Sequence, residues 1–271
     1  MSLSVASLHV YPIKSLGGFT VDAARSTDRG FEHDRRWMLV DPEGRFISQR
    51  EVATMACLHA APVDGGIRVV DVRDGATLQL PWMIDAGDTR SATVWNDHVE
   101  VITGPNAASD WFTAQLGRPC TLVYMPDATL RPTDRTYAEA ITSLSDGFPY
   151  LIISQTSLDD LNGRLDAPIG MERFRPNIVI AGGAPFQEDQ WSMIGIGDVR
   201  FSLVKPCARC VITTTDQRTG QRNKEPLSTL ATYRKRIAEN GAVKLDLGMN
   251  AVAIGNGSLA KGMVVTILGA H

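Results

Sequence analysis

The chain has 271 residues, 44% of them hydrophobic and 21% charged, with a formal net charge of -3. That length and mix predict a soluble globular protein of one large domain or two modest ones, whose core needs no disulfide staples. The charge excludes a global basic field for gathering nucleic acid or anionic lipid, so any anion site must be a local cluster of Arg and Lys. No apolar run approaches the ~20 residues that span a bilayer. The opening MSLSVASLHVYPIKSL lacks the charged, apolar and small-residue order of a signal peptide. A cytoplasmic monomer is the expectation.

In chain order, Ser4 to Tyr11 alternates like a strand. Arg36 to Val40 and Phe46 to Ser48 flank Asp-Pro-Glu-Gly, whose turn chemistry predicts a hairpin. Ile67 to Val72 and Ala76 to Leu80 flank Asp74-Gly75, a second hairpin signal, and Thr93 to Trp95 and Val99 to Ile102 flank Asn96-Asp97, a third. Asn106 is placed to cap a helix carrying Trp111, Phe112 and Leu116 and stopped by Gly117. Thr156 with Asp159 resembles a capping box ahead of Leu158, Leu161 and Leu165. Leu227, Leu230, Tyr233 and Ile237 form a third helical stripe after Pro226. All three stripes read as core packing. Tyr150 to Ser154, Asn177 to Ala181, Val199 to Val204, Cys210 to Thr215, Ala251 to Ile254 and Met263 to Leu268 are apolar or β-branched and read as strands. Many strands with few helices predict an α+β, predominantly β, barrel-like architecture. The expected boundary divides residues 1–118 from 119–271.

The sharpest local pattern is Cys207-Ala-Arg-Cys210, inside Lys205 to Asp216. Zinc would need a second pair of ligands, which neither Cys57 nor Cys120 supplies by spacing. A redox dithiol should open a helix, whereas Cys210 precedes a β-branched run. A third reading makes one thiolate a ligand for a soft or high-valent metal, favoured by Arg209 and Lys205. The bland alternative is two small buried thiols at a strand end. Lys14-Ser15, Arg35-Arg36, and Arg173, Arg175 and Asn177 fall at strand ends, where they could gather a phosphate-bearing ligand or simply form surface ion pairs. Asp216, six positions beyond Cys210, is a candidate proton donor if the strand alternates, or else a turn-starting Asp.

Taken together, Tyr-Pro-Ile-Lys-Ser at 11–15, Asp-Arg-Arg-Trp-Met-Leu-Val at 34–40, Phe-Arg-Pro-Asn-Ile-Val-Ile at 174–180, Cys-Ala-Arg-Cys-Val-Ile-Thr-Thr-Thr-Asp at 207–216 and Lys-Glu-Pro-Leu-Ser-Thr-Leu at 224–230 resemble the MOSC family, in the group with the mitochondrial amidoxime-reducing components. The resemblance covers nearly the whole chain. It implies a β-rich N-terminal domain joined to a MOSC β-barrel with a few peripheral helices, and molybdenum cofactor (molybdopterin) held between them. The family's metal-ligating cysteine matches Cys210. Its cofactor contacts match Lys14, Ser15, Arg35, Arg175, Asn177 and Arg209, with Asn250 a further match. Gly147, Phe148 and Ala208 depart from hydroxyl-bearing family positions, although Gly147 keeps a backbone N–H suited to an anion. The implied reaction is oxygen-atom removal from small N-hydroxylated compounds, such as amidoximes and hydroxylamines. No Cys-Xaa4-Cys-Xaa2-Cys spacing is present for a plant-type iron–sulfur cluster, so a separate flavin, iron–sulfur or haem protein is the expected electron donor. The rival expectations are a cofactor carrier without turnover, a sulfur-transfer protein with a persulfide on Cys207 or Cys210, and an anion-binding barrel with inert thiols.

Overall fold

The computed structural model describes residues 2–271. It is predominantly β with three α-helices. The largest sheet runs, from one edge, Phe19–Val21, Ser4–Val10, Ile178–Ala181, Tyr150–Ser154, Val243–Ile254, Val199–Ala208, Trp191–Ile196 and Val265–Ala270. An antiparallel bridge between Ser4 and Val264 brings the last strand back against the first, so the sheet curls on itself. Its interior holds Leu8, Tyr150, Phe201, Trp191 and Ile194, all fully buried and alternating with outward residues as strand geometry requires. The chain's first strand is thus an integral part of the sheet built mainly from its C-terminal half.

A four-stranded sheet orders Trp37–Val40, Thr121–Tyr124, Asp97–Thr103 and Thr89–Val94, beside a three-stranded meander of Leu58–Val63, Gly66–Asp71 and Thr77–Pro81. Trp37, Leu39, Ile67, Phe112 and Leu122 close the core between them. The second hairpin turns where its chemistry places it, with Gly75 at φ 79°, whereas the third turns one residue early: Asp97 pairs with Val94 across Trp95-Asn96, and Trp95 takes the positive φ of 58°. The Asp-Pro-Glu-Gly turn forms, but its second arm contributes only a single bridge between Val40 and Phe46.

Helices occupy Asn106–Leu116, Gln155–Asn162 and Leu227–Tyr233. Neither expected side-chain cap is made. Pro105 is the cap of the first helix, with Asn106 its first helical residue. In the second, Thr156 lies inside the helix, and the buried Glu188 carboxylate accepts hydrogen bonds from the Ser154 N–H and the Ser157 hydroxyl. A distant acid thus satisfies the Ser154 N–H, the donor that the acid of a local capping box would have served. Ile237 leaves the third helical stripe for an exposed strand, Lys235–Ile237, paired with Val243–Ile254.

The largest departure follows Cys210. The expected strand is a 3₁₀ turn, Val211–Thr214. The Thr213 hydroxyl donates to the Cys210 carbonyl (2.9 Å) and the Thr214 hydroxyl to that of Val211 (2.8 Å). Back-bonding of this kind competes with a strand ladder, which is why β-branching misleads here.

Candidate active site

Turns at several strand ends converge on one cleft with about 760 Å³ of empty space, part of it open to solvent. Lys14 and Ser15 come from the turn after the first strand, Arg35 from the turn before Trp37–Val40, and Arg175 and Asn177 from the turn before Ile178–Ala181. Arg209 and Cys210 follow Val199–Ala208, and Asn250 lies within Val243–Ile254. Eight of the nine residues that the sequence nominates therefore line one surface. Asp216 does not. Loss of the strand removes the alternation that would have aimed it there. Its carboxylate instead accepts from the Arg218 and Thr219 N–H groups and from Arg173 at 3.0 Å.

Three of the cleft residues sit at positive φ: Ser15 at 67°, Arg35 at 50° and Arg175 at 57°. Backbone hydrogen bonds hold this conformation. The Lys14 N–H donates to the Trp37 carbonyl (2.8 Å), that of Arg35 to Tyr11 (2.7 Å) and that of Asn177 to Leu151 (2.8 Å). Left-handed backbone at bulky residues is uncommon and collects at functional sites.

Electrostatically the cleft is cationic in an acidic chain. Lys14, Arg35, Arg50, Arg175 and Arg209 line it or reach into it. In direct contact with them stand two carboxylates, Asp34 and Asp146. The Arg35 and Arg175 guanidiniums both stack on Tyr11, 4.6 and 4.4 Å from the ring centre. Burial, together with the neighbouring Arg35 charge, brings Arg175 down to about 10. Burial pushes the Tyr11 phenol up to about 12 although both guanidiniums pull the other way, so it stays protonated. Lys14, 4% exposed, is brought down to about 8 by burial against the pull of Asp146 at 2.7 Å. Desolvation within the cleft would raise the half-exposed Asp146 carboxyl, but Lys14 and Arg50 outweigh it and hold it well below the usual carboxylate range.

Polar side chains orient this group. Asn177, fully buried, accepts from Arg35 (3.1 Å) and donates to the His9 carbonyl (3.4 Å). The Asn250 amide donates to the Lys205 carbonyl (3.4 Å). Arg209 donates to the Cys207 sulfur (2.8 Å) and the Phe174 carbonyl (2.6 Å), while its buried Nε has no partner. Cys207 and Cys210 are free thiols on the cleft wall, and burial pushes the Cys207 thiol up. Clustered cations with spare donors, an orphaned buried guanidinium N–H and an accessible thiol make a donor set that fits an anionic, phosphate-bearing group with a thiophilic metal at one end.

Arg50 was not anticipated as part of this site. It follows the Phe46–Ser48 arm and lies outside every motif, so neither spacing nor composition marks it. Arg36, paired with Arg35 in sequence, turns away to Asp127 and the Met125 carbonyl.

Comparisons with known proteins show the family. Residues 2–119 match the MOSC N-terminal beta barrel domain and residues 140–266 the MOSC domain. The chain is 34% identical over 247 residues to mitochondrial amidoxime-reducing component 1 of Homo sapiens, covering 86% of this chain and 72% of that one. It is 31% identical over 257 residues to the molybdenum cofactor sulfurase of Oryza sativa, covering 86% of this chain but 31% of that much longer protein. Among solved structures, the YUAD protein of Bacillus subtilis aligns over 98% of this chain and 94% of its own, with 9% identity and a TM-score of 0.44. The chain is a two-part, β-rich protein with a cationic, thiol-bearing cleft. It belongs to the MOSC family.

Proposed function

We propose that the cleft binds molybdenum cofactor, that Cys210 ligates the metal, and that the protein reduces small N-hydroxylated compounds. The observation that carries this reading is the meeting, in one cleft, of more cations than the carboxylates beside them can neutralise, the orphaned Arg209 Nε and the Cys210 thiol. Lys14, Ser15, Arg35, Arg175, Asn177, Arg209 and Asn250 would hold the anionic body of the cofactor, because they are the cleft's donors and most are fixed by second hydrogen bonds. When bound, the cofactor supplies two-electron redox chemistry of the oxygen-transfer type. The protein's share is to bind it, fix its orientation and leave the side at Cys210 open to substrate. In the overall reaction the N–O bond breaks, two electrons from a separate donor protein and two protons are consumed, and the amine or amidine leaves with water.

The sulfurase relatives support a second reading, in which the chain carries cofactor or sulfur without turnover. The deciding experiment measures molybdenum and pterin in wild type and Cys210→Ala made in a cofactor-competent host, alongside reduction of benzamidoxime by a generic donor. Near-equimolar molybdenum with turnover in wild type, and turnover abolished in a folded variant, is the expected result. Undiminished reduction by Cys210→Ala would overturn the assignment. Bound cofactor without turnover, or sulfane sulfur on the metal-free protein, would move the carrier or sulfur-transfer reading ahead.

A further inference from the structure

Of the five cleft cations, Lys14 and Arg35 are the most enclosed, each held by a carboxylate. Arg50 sits further out. Its side chain is 26% exposed, at the mouth of the cleft. There the guanidinium donates to Asp146 (3.0 Å), lies 4.5 Å over the ring of the exposed Trp95 and shares the cleft wall with Cys210. It is also well anchored. The Arg50 N–H donates to the Ser48 hydroxyl (3.3 Å), and its carbonyl accepts from Arg222 (3.1 Å), which also donates to the Thr215 hydroxyl (3.2 Å) beyond Cys210. Neighbouring Gln49, fully buried, donates to the Ser15 carbonyl (2.7 Å). The segment bearing Arg50 is thereby tied both to the Lys14–Ser15 turn and to the turn after Cys210. A group held this way pays little ordering cost when it meets a ligand.

The charge at this point is not cancelled. Asp146 faces Lys14 and Arg50 together, and one carboxylate cannot neutralise both cations. Of a guanidinium's five N–H donors, Asp146 takes one from Arg50.

Resting on the function proposed above, we infer that Arg50 is a substrate-contacting residue whose free N–H donors recognise a negatively charged oxygen, so that the protein prefers N-hydroxylated substrates bearing a carboxylate. A single charge-assisted hydrogen bond in a partly desolvated mouth corresponds to about 10- to 100-fold in affinity.

The test compares benzamidoxime with 4-carboxybenzamidoxime on wild type, Arg50→Lys and Arg50→Gln. It reads kcat and KM with a generic donor, Kd by calorimetry without donor, and molybdenum and pterin per chain. The expected result is a preference of about tenfold or more for the carboxylate in wild type, expressed in KM and Kd. Arg50→Lys should keep part of that preference and Arg50→Gln should lose it, with cofactor content equal in all three. An absent preference in wild type, or an undiminished one in Arg50→Gln, overturns the inference. So does molybdenum that falls in step with activity, since Arg50 would then belong to the cofactor cradle. If wild type holds no molybdenum, the proposed function fails by that fact, and the calorimetry alone still decides whether Arg50 selects the carboxylate.

Discussion

Two sets of turns in this protein share a backbone conformation and fill it differently. In three of the outer turns the positive φ falls on glycine, Gly44 at 80°, Gly65 at 75° and Gly75 at 79°, and only the hairpin at Trp95, φ 58°, puts it on a side-chain-bearing residue. Around the cleft it falls on Ser15, Arg35 and Arg175. The left-handed region costs a residue with a Cβ about 1–2 kcal/mol and costs glycine nothing steric. A hairpin has only to reverse the chain, so glycine serves it. The cleft turns must reverse the chain and deliver a side-chain donor at the same point, and glycine has no side chain to supply one. The strain is held by the backbone bonds to Trp37 and Tyr11 and by buried side chains such as Asn177. Changes in the cleft turns should therefore alter binding out of proportion to stability, and changes in the hairpins should do the reverse.

The largest effect is expected at Lys14. In cofactor-free protein its ammonium is charged below about pH 8 and lost above it, because burial depresses it. Affinity for inorganic phosphate should therefore fall as pH rises from 7 to 9, and Lys14→Met should bind about tenfold more weakly at pH 7 with little pH dependence left. Stability should move the other way. The folded value of about 8 lies below the ordinary 10.5, so between those limits the unfolded chain holds the extra proton. The Lys14 contribution then grows with pH through that window, by up to about 1.4 kcal/mol per pH unit. Asp146, half-exposed and still held by Arg50, should offset only part of this. Denaturation midpoints of wild type and Lys14→Met at pH 7 and pH 10 check the sign. A wild-type advantage that shrinks at pH 10 would break the account.

The same contrast explains what the sequence made legible. The hairpins and the strand Ser4–Val10 were readable because turn chemistry and period-2 alternation are local signals. Eight cleft residues were readable through a resemblance built on ordered motifs, not from spacing, since the distance from Lys14 to Cys210 in the chain says nothing about their meeting. Cys210 to Thr215 was misread because β-branching favours strand while threonine hydroxyls favour turns, and the local sequence does not say which wins. Arg50 and the Glu188 cap were hidden for a common reason. Each acts across a fold-level contact, to Asp146 and to the second helix respectively, and leaves no periodic trace.

Ser15→Gly sharpens the comparison further. Removing the Cβ at φ 67° should relieve strain, partly offset by the greater freedom of glycine in the unfolded chain, so that the melting temperature holds or rises slightly. Removing the hydroxyl from the cleft wall should speed cofactor loss several-fold. A clear drop in melting temperature with unchanged retention would mean that Ser15 is there for packing and not for binding.

Gly75→Ala is the converse, and its effect on the site should be the smallest. No atom lies within 4 Å of the added Cβ, so the penalty is confined to the backbone at φ 79°. The expected loss is about 1 kcal/mol of stability. Phosphate affinity and cofactor content should remain those of wild type, since the turn at Asp74-Gly75 joins two strands of the outer meander and contributes no cleft residue. Reduced retention in this variant would couple the meander to the cleft through Leu58 and Gly17, whose backbone bond (2.9 Å) links that sheet to the turn carrying Lys14, and the division between turns that only reverse the chain and turns that also bind would then have to be drawn elsewhere.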